Sequence, residues 1–144
     1  MDYEASMDRA ANRLGFQQET GLAALKSTMV CNGGAILALL TFLGNKSAQY
    51  DASELESALT FFFFGVLLTL GGYIAGYFSQ VILMGFDIDV AWNFQDDMKA
   101  EPRSRDVNKA GLGGALCLGL AVTAVVVSIL CFGLGAFAAL RGIL

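Results

Sequence analysis

Residues 110–140 read AGLGGALCLGLAVTAVVVSILCFGLGAFAAL, an unbroken run without one ionisable acid or base. As a helix rising 1.5 Å per residue it would reach about 46 Å, whereas the hydrocarbon of a bilayer is roughly 30 Å thick. Working outward, two more blocks share this character: Ser57 to Phe86, and Ser27 to Asn45. All 9 basic and 13 acidic residues of the 144 lie outside these blocks. The apolar fraction is 56% and the charged fraction 15%, against about 25% charge in a soluble domain, where it is spread throughout. A soluble reading would bury these helices, yet the chain has no other apolar material to cover them.

The fold expected is therefore all-α and integral to a membrane, with three transmembrane helices and cytoplasmic helical extensions. Its segments are a cytoplasmic amphipathic helix (1–26), a first span (27–45), an outside loop (46–56), a second span (57–86), a cytoplasmic extension and loop (87–109), a third span (110–140) and an outside C-terminus (141–144). The first span is not expected to be a cleaved leader, because 26 residues of mixed charge, including Asp2, Glu4, Asp8 and Glu19, precede it. Three crossings put Arg9, Arg13, Lys26, Lys99, Arg103, Arg105 and Lys109 on one side and Lys46 and Arg141 on the other. The positive-inside rule then sets the N-terminus in the cytoplasm. Net charge −4 weighs against a nucleic-acid surface.

Both cytoplasmic arms read as helices. Tyr3, Met7, Ala10 and Leu14, then Leu22, Leu25 and Met29, recur at three to four residues, with Gly15 and Gly21 as weak points. Phe86, Val90, Phe94 and Met98 recur every four residues until Pro102, so the second span is expected to continue to about Ala100. The two arms are expected to pair as an antiparallel stalk with Trp92 near its base.

Small residues recur along every span. In the third they are Ala110, Gly114, Cys117, Ala121, Ala124, Ser128, Cys131, Gly135, Ala138 and Gly142; in the first, Ala24, Ser27, Cys31, Gly34, Ala38, Thr41 and Asn45; in the second, Gly65, Thr69, Gly72, Gly76 and Ser79. Helices inside lipid gain nothing from excluding water, so they associate by close backbone approach, which small side chains allow, and by polar contacts. The spacing specifies a left-handed crossing of about 20°. Part of this seam serves packing within the chain. The rest points to packing between chains, hence a homo-oligomer. Phe61, Phe62, Phe63 and Phe64 surround the outer end of the second span and suggest a lipid-facing anchor or a filler between subunits.

Catalytic chemistry is thin. The chain has no histidine, and Cys31, Cys117 and Cys131 all fall in apolar spans, where a thiol acts as a small hydrophobe. No span carries Asp or Glu, which argues against an intramembrane aspartyl protease or a proton-coupled carrier. Neither an enzyme nor a cofactor or metal is expected. The polar groups at depth are neutral: Asn32, Thr41, Thr69, Ser79, Gln80, Thr123 and Ser128. Asn32 and Gln80 suit an interhelical hydrogen bond, or a ring of amides around a symmetry axis that would make a weakly selective pore. Arg103, Arg105 and Lys109, around Pro102, set orientation or meet an anionic nucleotide or headgroup.

The stretch from Leu25 to Leu40, with Asn32-Gly33-Gly34-Ala35 at its centre, resembles the first span of small bacterial multi-pass membrane proteins, some of which are channel-like membrane effectors of antiphage defence. That resemblance covers about 20 residues and the layout. It implies a homo-oligomeric channel in the bacterial inner membrane, answering to a cytosolic protein or nucleotide through its cytoplasmic helices. The competing expectation is a non-conducting assembly subunit that clamps a larger membrane partner.

Overall fold

A computed structural model of the chain describes residues 3–44, 50–100, 102 and 108–144, with the backbone alone for 3–14, 16–18, 108 and 110. Among these residues are three helices, α1 (Tyr3–Leu43), α2 (Ala52–Met98) and α3 (Asn108–Ile143), and no strand. Each holds a stretch long and apolar enough to cross a membrane: Glu19–Leu43, Ala52–Met98 and Gly111–Ile143.

The helices overrun the segment boundaries read from charge, because capping ends a helix and loss of hydrophobicity does not. α1 passes Gly15, Gly21 and Lys26 without a break. α2 begins at Ala52, inside the expected loop, because Asp51 caps it: its Oδ1 accepts the N–H of Ser53 at 2.9 Å. The other end of α2 closes through the amides of Lys99 and Ala100, which donate to Gln95, Asp96 and Asp97 carbonyls. Ala100 takes φ 56° there, the left-handed position that glycine usually fills after a helix, two residues before Pro102. α3 runs on through Arg141 to Ile143. The expected antiparallel stalk depends on side chains before Glu19 that lie outside the described residues.

The chain forms two compact units. The first comprises Met1–Thr69 and Val125–Leu144. Its core joins Leu39 of α1, Leu55, Ala58 and Phe62 of α2, and Ala138 of α3, with Ile36, Phe42, Leu59 and Phe132 packed around them. Gly135 makes room for the Phe62 ring, since a Cβ there would stand 2.7 Å from Cε1, and Gly142 does the same for Leu55 at 2.8 Å. Phe62 also meets Phe132 with ring centroids 5.9 Å apart. The tetrad Phe61–Phe64 is thus divided: Phe62 is core, Phe61 half-buried, and Phe63 and Phe64 exposed. At one end Asp51 N–H donates to the Gly142 carbonyl at 2.9 Å, and Arg141 pairs with Glu54 at 3.4 Å. The ion pair is partly exposed, so it fixes register more than it stabilises.

The second unit, Leu70–Ala124, is a two-helix hairpin. Ser79 Oγ donates to the Gly114 carbonyl at 2.9 Å, Gly76 faces Ala121, and Gly111 lies under the Phe86 ring. Gly114 sits under Leu83, where a Cβ would come within 2.6 Å.

Little of the apolar surface is used internally. In the most apolar stretch of each helix only 22%, 28% and 11% is buried, in order along the chain. Leu37, Phe63, Phe64, Ile74, Leu116, Leu130 and Phe137 are among the large side chains left exposed. A soluble monomer does not carry so large a continuous apolar surface.

Candidate functional site

The centre of the first unit is polar. Thr28 and Asn32 stand one turn apart on α1, Gly65 and Thr69 one turn apart on α2, and Ser128 faces both from α3; all five are buried. Asn32 Nδ2 donates to the Thr28 carbonyl at 3.0 Å and to Ser128 Oγ at 3.1 Å. Ser128 Oγ lies 2.8 Å from the Gly65 carbonyl, which accepts its proton. Thr69 Oγ1 stands 2.8 Å from the same carbonyl and 3.0 Å from Ser128 Oγ. Thr28 Oγ1 is 3.0 Å from the carbonyls of Ala24 and Leu25.

Counting protons shows what this cluster can do. Every donor of the cluster finds an acceptor, and the atom left over is an acceptor, Asn32 Oδ1, buried without a hydrogen-bond partner among the described residues. Turning the amide over would be worse, since Oδ1 would then face the Thr28 carbonyl oxygen at 3.0 Å. The carboxamide instead packs on the bare backbone of Gly65, where a Cβ would overlap it. Glycine is required here because the amide fills the space a side chain would take. The cluster contains no titratable group and no nucleophile beside a base. It can hold three helices in one register, and it cannot perform acid–base chemistry.

The candidate residues therefore separate. Asn32, Thr69 and Ser128 come together in this cluster, with Gly65 beneath them. Ser79 is buried in the hairpin on the Gly114 carbonyl. Thr41 is exposed, its hydroxyl turned back onto the Leu37 carbonyl at 2.8 Å, and Thr123 likewise donates to Gly119. Such back-bonding leaves a threonine hydroxyl satisfied on an apolar surface. The suggested bond between Asn32 and Gln80 is replaced: Asn32 turns to Ser128 and Thr28, and Gln80 is exposed. Thr28 joins the cluster without being one of the polar groups expected from the sequence, although it stands four residues before Asn32, the spacing of one helix face. Arg103 and Arg105 lie outside the described residues, and Lys109 is exposed in the first turn of α3. Among the described residues, no three His, Cys, Asp or Glu side chains gather where a metal could bind.

The packing positions separate too. On α3, Gly114, Ala121, Ser128, Gly135, Ala138 and Gly142 are buried, and Cys117, Ala124 and Cys131 half-buried. On α2, Gly65, Thr69, Gly72 and Ser79 are buried and Gly76 half-buried. α1 differs. Ser27, Cys31, Gly34, Ala38 and Thr41 are all exposed, and the buried residues are their immediate successors, Leu25 after Ala24, Thr28, Asn32 and Leu39. One residue is 100° of helix rotation. Turning the Asn32 amide inward has turned the small face of α1 outward, because an amide without water or a partner costs more than a small residue left uncovered. Beside that face runs an apolar groove of about 370 Å³, lined by Ala35, Ala38, Phe42, Phe132, Ala136 and Ala139 among others.

No protein-family model, curated protein or solved structure matches the chain.

Proposed function

We propose that this chain is a homo-oligomeric integral membrane protein forming a small ion-conducting pore, a membrane effector of the antiphage-defence kind opened through its cytoplasmic helices. The observation that supports it best is the outward small face of α1, Ser27, Cys31, Gly34, Ala38 and Thr41. Copies can approach closely along such a face, and α1 is the element continuous with the N-terminal arm that would receive a cytosolic signal. A ring of these residues carries no fixed charge, so it would discriminate weakly among ions. Opening requires a regulator that binds one arrangement of the arms better than the other. The buried cluster is the fixed part of each protomer and does not line the pore.

Cys31 sits on this face and is exposed, so it serves as the probe. In a variant keeping Cys31 alone (Cys117→Ala, Cys131→Ala), copies in vesicles should cross-link through it. Planar bilayers should pass current that a cationic thiol reagent reduces. Cross-linked oligomers that pass no current under any condition would replace the pore with the non-conducting assembly subunit.

A further inference from the structure

The depth of the apolar groove beside α1 is fixed by its surroundings, all of them in the first unit. At one end of that unit Tyr50, Asp51, Glu54 and Arg141 form a polar margin, tied together by the Asp51 amide on the Gly142 carbonyl and by the Arg141–Glu54 pair. From this margin inward the groove follows α3 from Ile143 to Phe132 and α1 from Phe42 to Ala35. At 1.5 Å per residue those lengths are about 16 Å and 10 Å. One leaflet holds about 15 Å of hydrocarbon, half of a core roughly 30 Å thick. The groove is thus one leaflet deep, open at the headgroup level and ending near the mid-plane.

Its lining restricts what can fill it. Ala35 and Ala38 of α1 face Ala136 and Ala139 of α3 across a space of about 370 Å³, with Phe62 of α2, itself 3% exposed, at the back. These walls are alkyl and aromatic, and the backbone groups behind them are spent within helices, so water or a polar molecule finds no partner there. The slot also runs along the helices. A neighbouring helix crossing at an angle would put side chains into it at one level, whereas an acyl chain can follow its whole length. At the headgroup end Phe42, which lines the groove, meets Tyr50 edge-on with ring centroids 6.1 Å apart, and Tyr50 is 42% exposed. An aromatic ring with one polar tip suits the boundary between tail and headgroup.

We infer that this groove is a lipid site, taking one acyl chain of a phospholipid from the leaflet on the Asp51–Arg141 side, with its headgroup level with Tyr50. The four alanines are the device that builds it, since larger side chains at these positions would close the slot. This rests on the membrane reading of the chain and is independent of the pore.

The test reconstitutes the full chain in phosphatidylcholine–phosphatidylglycerol vesicles and releases it into mild detergent for native mass spectrometry. The parent should retain one phospholipid per protomer, and spin-labelled phosphatidylcholine in the vesicles should show a matching motionally restricted component. Ala136→Trp fills the groove and should abolish both signals. Leu134→Trp, at the same depth on the opposite side of α3, should leave them unchanged. Ala139→Val is a milder filling that should lower retention in part, and it carries the test where circular dichroism shows that the Ala136→Trp chain does not fold. A parent that retains no phospholipid, or groove variants that retain as much as the parent, overturns the site. So does cross-linking between copies through Ala136→Cys in a chain whose native cysteines are replaced, which would seat a second copy there. A chain that never enters the vesicles loses the membrane reading itself, whereas one that inserts and holds no lipid loses this site alone.

Discussion

Asn32 and Gly65 form an exacting contact, a carboxamide seated on a glycine backbone with no room for a Cβ. Gly65→Ala should lower stability by about 1–3 kcal/mol, the usual cost of overpacking, measured by reversible unfolding in mixed micelles. The loss should shrink when Asn32→Ala is present as well, because the smaller side chain vacates the space; additive losses would separate the two residues. Ser128→Ala removes the acceptor of one Asn32 proton and the third helix's link to the Gly65 carbonyl, and should cost about 0.6–2 kcal/mol in the same assay. Ala100 works in the opposite direction. At φ 56° an alanine is strained, so Ala100→Gly should raise stability by about 1 kcal/mol. At this scale the sequence marks Asn32, since an amide deep in an uncharged run must be satisfied. It does not reveal Ser128 as the partner, because Gln80 meets the same chemical criterion and only the register of three helices decides between them.

Between helices, the question is which small residues face inward. The α2 and α3 positions picked out by spacing lie inside, but α1 buries the neighbouring phase. Periodicity records that a helix has a small face. It says nothing of what competes for the inside, and on α1 the competitor is the Asn32 amide with Thr28 beside it. Gly135→Leu should therefore disrupt the monomer, because its side chain would enter the Phe62 ring, and thermal unfolding in detergent should show a fall of several degrees or no folded protein. Gly34→Leu lies on the exposed face and should leave monomer unfolding nearly unchanged while abolishing Cys31 cross-linking in vesicles. If Gly34→Leu unfolds the monomer, the outward orientation of α1 is wrong. The Phe61–Phe64 tetrad follows the same logic. Four identical side chains point in four directions, and which one finds a glycine opposite is a property of α3, not of the tetrad.

For the whole molecule, charge placement alone announced three apolar helices, and the three helices are there. Their ends were harder to read: Asp51 and Ala100 terminate α2 through hydrogen bonds and backbone conformation, and neither coincides with the first charge after an apolar run. On the proposed reading the bilayer is the solvent for the surface the chain leaves exposed, the arms before Ser27 and after Phe86 emerge together, and the Asp51–Arg141 end lies on the opposite side. The most direct test is labelling by a membrane-impermeant maleimide in sealed vesicles of single-cysteine variants Glu19→Cys, Asp51→Cys and Lys99→Cys, with native cysteines replaced. The account predicts that positions 19 and 99 react from the same side and position 51 only from the other. Positions 19 and 99 reacting from opposite sides, or all three reacting in a protein that stays in solution without detergent, would contradict it.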